Sequence, residues 1–356
     1  MKKLALFLSV ALLISLLAGC AGTPVIYYTD CTCPQGSHTE APVVAEGSLK
    51  TGLYVATNIS KSKSVPGADS TTEAFGEANY DVTVIAVLVD DKGIIADCII
   101  DGISATLNFD GSGVITSDLS APVQTKNELG SNYGMVQYGG AIAEWDQQAA
   151  ALAKYAIGKN VTELKNGAID ESGKAPAGSD LASSATIYLG GYVAGIEAAV
   201  NNAQHLGAEA GDELKLAVIA GFDKSRSATA ELEGNAQLDM DVTALTMNGD
   251  KITSCVIDSV QAKVGFDNTG VIISDVESPV LTKNQLGADY NMVHYGGAKA
   301  EWNEQAAAFA KYVTGKTAAD VAGIAVSEGK PADADLSASV TIAIGGFQAL
   351  IAKAAK

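Results

Sequence analysis

The sequence contains little histidine and none of the common hydrolase motifs. Only His38, His205 and His294 occur among 356 residues. Histidine is the most frequent general base, and the GxSxG, HExxH and P-loop patterns are all missing from the chain. His294 aligns with Gln137 in an internal repeat, so a site present in both copies cannot depend on it. These observations argue against the enzyme classes that use those motifs.

Positive charge is also scarce. The chain has 23 lysines and arginines against 41 aspartates and glutamates, which gives a formal net charge of −18. A surface this acidic repels phosphate backbones, so the sequence argues against a nucleic-acid partner.

The apolar run at the start of the chain extends only from Leu4 to Leu17 and follows two lysines. That length and those flanks are typical of a secretory signal and too short for a stable transmembrane helix. The residues Leu17-Ala18-Gly19-Cys20 also resemble the bacterial lipobox. The resemblance implies a signal peptide over 1–19, cleavage before Cys20 and a lipid on its sulfur. We expect an extracytoplasmic protein that is lipid-anchored to the bacterial membrane.

Cysteines are too few for a disulfide-built scaffold. Apart from Cys20, Cys31 and Cys33 fall in a Pro- and Thr-containing tether predicted over 20–48, where surface thiols, an intermolecular disulfide or a weak metal site are possible. Cys98 and Cys255 lie in apolar strand-like runs and are expected to be buried.

The remaining chain repeats itself. Residues 139–159 and 296–316 are identical at 15 of 21 positions, and further matching segments follow the same order in both copies. We predict a tandem duplication with homologous domains over 49–200 and 214–356, joined by a polar linker over 201–213.

Each copy shows strands followed by helices. Two β-branched runs (80–90 and 93–101) are joined by a turn, and another strand is predicted over 113–119. Apolar residues at helical spacing predict a helix that begins near Trp145, and a second helix is predicted over 192–203. The order predicts an α+β fold in which each copy is an antiparallel sheet followed by two helices.

The two copies end in related phrases, SDLASSATIYLGGY (179–192) and ADLSASVTIAIGGF (334–347). The first resembles the Asp-x-x-Ser-Gly-Ala-Thr signature of FMN-binding domains, which occur in Rnf complexes, in sodium-pumping quinone reductases and in extracellular electron-transfer lipoproteins. The resemblance covers roughly the last third of each copy.

The resemblance implies that an FAD:protein FMN transferase joins FMN to Thr186 and Thr341 as a phosphoester. The matching site residues are Asp180, Ser183 and Ser184 in the first copy and Asp335 in the second. Both copies depart from the signature, because serine replaces its glycine at 184 and 339, and the second copy also carries Ala338 and Val340. From the residues alone, the aspartate could instead cap a helix and the threonine could fill a strand.

Other side chains could contact a flavin. Tyr138 and Tyr295, beside Gly-Gly pairs, could stack on its ring, and Lys126 and Lys283 could meet a phosphate or a ring carbonyl. From the residues alone, the lysines could instead lie in solvated turns and contact no ligand. Trp145 and Trp302 are expected to pack in the core, and the Gly-Gly pairs at 190–191 and 345–346 either permit tight helix packing or admit a phosphate.

The sequence thus predicts a membrane-anchored electron carrier with covalent FMN in each copy. Its partners would be the FMN transferase, a membrane electron donor and an extracellular electron acceptor. An electron carrier is favoured over an enzyme with its own substrate. The alternative is a non-catalytic surface lipoprotein that binds a small ligand or a protein partner.

Overall fold

A computed structural model describes residues 47–66 and 74–356. The predicted signal peptide, the lipidated Cys20, Cys31, Cys33 and the predicted tether as far as residue 46 lie outside the described residues. Within the described ranges, no helix has the length and apolar character needed to cross a bilayer.

The described chain has a mixed α+β fold with antiparallel sheets, which confirms the predicted class. A first half (47–212) and a second half (213–356) each contain a three-stranded sheet, with strand orders β1-β2-β3 and β4-β5-β6, and helices follow the strands. The first-half elements are β1 (Lys50–Asn58), β2 (Gly76–Val89), β3 (Ile95–Phe109), α1 (Lys126–Leu129), α2 (Met135–Gly139), α3 (Trp145–Ala156), α4 (Val161–Ala168) and α5 (Gly190–Asn201). The second-half elements are β4 (Glu213–Gly221), β5 (Gly234–Asn248), β6 (Lys251–Phe266), α6 (Lys283–Leu286), α7 (Met292–Gly296), α8 (Trp302–Val313), α9 (Ala318–Ala322), β7 (Val326–Ser327), β8 (Lys330–Pro331), α10 (Ala334–Ser337) and α11 (Gly345–Ala354).

Strand β2 is apolar on both faces because both faces are covered. Val84 and Ala86 face a core shared with the second sheet, whereas Ile85 and Val87 face the helices of the first half. Successive side chains of a strand point to opposite faces, so the continuous run VTVIAVLV serves two cores. The result is four layers in the order helix, sheet, sheet, helix.

The central core lies between the two sheets and draws residues from both halves. Phe109 and Phe266, at equivalent positions in β3 and β6, stack with ring centroids 4.1 Å apart and an interplanar angle of 5°. Both rings are fully buried. The two halves therefore stabilise each other through one continuous apolar interior.

Hydrogen bonds between the halves occur in equivalent pairs. Ile115 N donates to Ser227 Oγ at 3.0 Å, and Ile272 N donates to Ser64 Oγ at 3.0 Å. The neighbouring backbone bonds are Val65 N to Gly270 O and Ala228 N to Gly113 O, each 2.8 Å. Each half thus contributes an equivalent loop to the other half.

The strand predicted over 113–119 does not form. Only Ile115 makes a single bridge, to Phe109, and the chain then leaves the sheet to bond with the second half. Gly113 has a φ of 69°, which turns the chain there. A side chain at this position would also lie within 2.7 Å of Ala228 Cβ. The β-branched residues of this segment therefore pack between the halves and do not extend the sheet.

The segment predicted as a linker over 201–213 is held against the first strand. Leu49 N donates to Ala208 O at 2.8 Å and Thr51 N donates to Gln204 O at 2.9 Å. Strand β1 itself was not predicted, because its short apolar run is interrupted by polar residues. The connection between the halves is an ordered part of the fold.

Candidate functional site

Thr186 lies in an exposed loop between a 3-10 turn (Leu181–Ser183) and α5. Gln148 Oε1 accepts hydrogen bonds from Thr186 N at 2.8 Å and from Ile187 N at 3.1 Å. It also accepts one from the Thr186 hydroxyl at 3.3 Å. One side-chain oxygen from α3 thus fixes the backbone of the loop and orients the threonine.

The same arrangement recurs in the second half. Gln305 Oε1 accepts from Thr341 N at 2.8 Å and from its hydroxyl at 3.1 Å. Both glutamines are buried, and each donates from Nε2 to a backbone carbonyl, at Ala143 or Ala300, at 2.8 Å. These donations fix which amide atom faces the threonine. Neither glutamine was predicted as a site residue. A glutamine at the equivalent position of two otherwise apolar helix faces is the feature that could have indicated a polar role.

The aspartates of the motif are exposed and do not cap a helix. Asp180 precedes the 3-10 turn, but its side chain makes no capping hydrogen bond. Asp335 lies in the first turn of α10, which is capped by Asp333 through its bonds to Asp335 N and Leu336 N. The capping interpretation of Asp180 and Asp335 is therefore wrong. Ser183 Oγ donates to Asp180 O at 2.6 Å, and the neighbouring Ser184 is exposed.

The lysines are not in solvated turns but lie against the tryptophan rings. Lys126 is 6 % exposed, and its Nζ lies 3.3 Å from Asp81 Oδ1 and 5.0 Å from the centroid of the Trp145 ring. Lys283 is half-buried, with its Nζ 4.8 Å from the centroid of the Trp302 ring. The lysines are cation–π partners of the tryptophans, so the solvated-turn interpretation is wrong, whereas their contact with a flavin stays a prediction.

The pKa values of the two lysines shift in opposite directions. Burial alone would lower the pKa of Lys126, but the charge of Asp81 and two nearby tyrosines raise it above its ordinary value. Burial lowers the pKa of Lys283 in spite of the nearby aspartates, of which Asp241 has the largest effect. The equivalent positions therefore have different electrostatic surroundings.

The tryptophans pack in the core, as predicted. Trp145 and Trp302 are both buried at the first position of their helices. Trp145 Nε1 donates to Tyr192 Oη at 3.0 Å, which ties α3 to the first turn of α5 just after the Thr186 loop. Phe347 takes the place of this tyrosine in the second half and packs edge-on against Trp302.

Tyr138 and Tyr295 are the most exposed aromatic side chains among the described residues, at 82 % and 83 %. They lie in the short helices α2 and α7, each of which ends at the first glycine of its Gly-Gly pair. The carboxylate of Glu144 accepts from Met135 N at 2.8 Å and from Val136 N at 3.1 Å, which fixes the start of α2. Rigid support and exposure leave these rings available for stacking on a partner.

The Gly-Gly pairs do not mediate tight packing. No atom lies within 4 Å of where a Cβ would be at Gly345, and the nearest atom at Gly346 is a carboxylate oxygen of Asp241 at 3.2 Å. At Gly190 the nearest atom belongs to the exposed Tyr188 side chain, at 2.6 Å. The first turn of each helix after the threonine loop is open to solvent, particularly in the second half. Tyr188, which the sequence analysis did not single out, adds an exposed ring to the first-half loop.

Two buried carboxylates, Asp101 and Asp258, hold the first turns of α1 and α6. Asp258 Oδ1 accepts from Asn284 N at 3.1 Å and from Ser259 N at 2.7 Å, and Asp101 makes the equivalent bonds in the first half. Burial raises the pKa of both carboxyls in spite of these hydrogen bonds. Each is therefore more easily protonated in the folded chain than in the unfolded chain.

This shift predicts how stability depends on pH. A carboxyl with a raised pKa in the folded state stabilises the fold below its unfolded pKa of about 3.9, and that contribution is lost as the pH rises. In Asp258→Asn the group no longer titrates, so the free energy of unfolding of the variant should rise relative to the wild type between about pH 3 and pH 7. Urea denaturation across this range measures the difference.

Asp118→Asn is the matched control. Hydrogen bonds from Ser120 lower the pKa of Asp118, so its contribution to stability is complete above about pH 5 and is lost as the pH falls. The difference in the free energy of unfolding between Asp118→Asn and the wild type should therefore stay constant between about pH 5 and pH 7 and shrink below about pH 4. Equal slopes for Asp258→Asn and Asp118→Asn would contradict the assignment.

Neither cysteine of the described chain forms a reactive centre. Cys98 and Cys255 are buried free thiols, as predicted, and burial raises the pKa of Cys255 to about 12. No group of three or more His, Cys, Asp or Glu side chains within 47–66 and 74–356 is placed to hold a metal ion.

We found no family model, no curated protein and no solved structure that matches the chain. A function can therefore be supported only by the geometry of the site and the resemblance of its sequence.

Proposed function

We propose that the protein is a lipid-anchored, extracytoplasmic flavoprotein that carries electrons on FMN attached to Thr186 and Thr341. The observation that supports this most directly is the threonine arrangement, which occurs twice. In each half a buried glutamine accepts a hydrogen bond from the hydroxyl of the motif's threonine, and Thr186 is exposed while Thr341 is half-buried. A strand-filling threonine would need neither the exposed loop nor the glutamine.

The residues around the threonines fit attachment of a phosphate. Thr186 is exposed, and the side chains before it at Ser183, Ser184 and Ala185 are small. With FAD as the donor, the threonine oxygen forms a bond to the phosphorus of the FMN part, the diphosphate linkage breaks and AMP leaves. The hydroxyl proton is released, while the bonds from Thr186 N and Ile187 N to Gln148 are untouched by the reaction.

Other parts of the site fit a flavin unequally. The exposed Tyr138 and Tyr295 rings and the open first turns of α5 and α11 are compatible with a ring and an anionic group. Lys126 and Lys283 lie over tryptophan rings, and no contact of either lysine supports a bound flavin. FMN would supply the redox chemistry when bound, and the chain would supply attachment and orientation.

We further propose that the halves are copies of one ancestral unit. The repeated sequence, the equal strand orders and the paired contacts between the halves support this. The remaining parts of the proposal come from the sequence alone: anchoring through Cys20, loading by an FAD:protein FMN transferase, and transfer from a membrane donor to an extracellular acceptor.

Intact mass spectrometry tests the proposal. After incubation with an FMN transferase, Mg²⁺ and FAD, we expect two adducts per chain, each of the mass of FMN less one water. Thr186→Ala and Thr341→Ala should each lose one adduct because each removes one acceptor oxygen. Ser184→Ala, which removes a neighbouring exposed hydroxyl, is the matched control and should retain both.

Persistence of both adducts in the double threonine variant would exclude attachment at these positions. No adduct, with no flavin in protein from its own cells, would favour the alternative of a non-catalytic lipoprotein that binds a ligand or protein partner.

A further inference from the structure

A groove of about 890 Å³ lies in the second half between the edge strand β6 and helix α8. Its third wall is the segment after α5, around Leu206. Val256, Ala307 and Ala310 contribute apolar surface, and the alanines leave the helix side of the groove flat. The volume is in the range of sites that take small organic molecules.

The groove does not belong to the threonine site. Asn303, which lines the groove, and Gln305, which holds Thr341, are two residues apart on α8. Two residues correspond to about 200° around a helix, so the two side chains leave opposite faces. Any ligand of the groove is therefore separate from a group carried by Thr341.

The first half contains the same groove in a smaller form. It measures about 270 Å³ between β3 and α3, and each of its lining residues is the repeat equivalent of a residue in the larger groove. The larger groove gains the wall around Leu206, and Thr314 replaces the bulkier Ile157 at its end. The remaining difference that matters chemically is Asn303 in place of Asp146.

That difference changes the charge of the groove. No aspartate or glutamate lines the larger groove, although the chain has 41 acidic residues, and Lys311 supplies a positive charge. The smaller groove is lined by Lys154, the equivalent of Lys311, and also by Asp146, whose negative charge offsets that of the lysine. The second-half groove is thus suited to an anion and the first-half groove is not.

Asn303 also lacks a partner. Its Oδ1 is buried without a hydrogen bond from any described residue, and Asp146 Oδ1 is in the same situation. These two oxygens have almost no accessible surface, so neither is offered to a ligand, and Asn303 and Asp146 line their grooves through their other atoms.

We propose that the second-half groove binds a small amphipathic anion. The apolar body of the ligand would lie along β6 and the alanines of α8, and its carboxylate or other oxyanion would lie near Lys311, where the uncharged Asn303 does not repel it. The sulfur of Cys255 lines the groove as a buried thiol and takes no part in bond making.

Calorimetric titration with 8-anilinonaphthalene-1-sulfonate tests this on the full chain. We expect one saturable site per chain. Asn303→Asp should weaken binding about tenfold or more, because it places a carboxylate beside the anion as in the first half. Lys311→Met changes an exposed side chain and should weaken binding by a smaller factor without affecting folding. Asp146→Asn is the matched control in the other half and should leave the affinity unchanged.

A neutral probe separates charge recognition from apolar adsorption. N-phenyl-1-naphthylamine has the same rings without the sulfonate, and it should bind the wild type more weakly and be insensitive to Asn303→Asp. The proposal is overturned if Asn303→Asp and Lys311→Met both bind the sulfonate like the wild type, or if the neutral probe binds as tightly. Because Thr186 and Thr341 are untouched, failure here would leave flavin attachment unaffected.

Discussion

Phe109→Ala should lower the free energy of unfolding by about 3–5 kcal/mol. Phe109 is fully buried and stacks on Phe266 at the centre of the core between the sheets. Removing the ring loses its transfer free energy and leaves a cavity that two packed sheets cannot easily close. Phe266→Ala should cost a similar amount, and a double-mutant cycle should show a coupling of about 0.5–1.5 kcal/mol for the stacked pair.

The same experiment asks whether the halves unfold together. Trp145 and Trp302 are the only tryptophans and report one half each. In single-tryptophan backgrounds, Phe109→Ala should shift both fluorescence transitions by the same amount, since the lost contact belongs to a shared core. A shift confined to the Trp145 transition would show that the halves unfold separately. Phe75→Ala, at a residue that is 48 % exposed, is the control and should change neither.

The fold was predictable where it depends on local pattern. The β-branched hairpin around 90–93 and the helix from Trp145 to Ala156 follow from spacing and turn residues, and the structure has both. The segment 113–119 was predicted as a strand because its composition is that of a strand. Its partners lie in the other half, more than 100 residues away, and no local pattern encodes such a contact.

The candidate site was likewise only partly predictable from the sequence. Thr186 was identified from the repeated motif, whereas the environment of Lys126 was not predicted. A lysine followed by an asparagine is typical of a surface turn. Only the tertiary fold brings Lys126 against the Trp145 ring and close to Asp81. The run in β2 was predicted to be a strand, but its sequence did not indicate that the second sheet covers one of its faces.

Gln148→Met should reduce both stability and flavin attachment. The substitution keeps the length of the side chain but removes the acceptor for Thr186 N, Ile187 N and the threonine hydroxyl, and the donor to Ala143 O. Several hydrogen bonds of modest net value are lost, so we expect a decrease of about 2–3 kcal/mol in the free energy of unfolding. Denaturant unfolding measures it, with Ala150→Met, at an exposed position of the same helix, as the control.

The initial rate of adduct formation at Thr186 should fall about tenfold or more in Gln148→Met, because an unfixed hydroxyl loses the orientation that group transfer requires. The rate at Thr341 should not change, since Gln305 holds that loop independently. The unaffected half of each molecule is thus an internal control for folding and for the transferase. A loss of stability with an unchanged rate at Thr186 would show that the glutamine only packs the loop. A loss of rate at Thr186 alone would show that Gln148 positions the acceptor hydroxyl. Thr341 in the same folded molecule would still react at the wild-type rate.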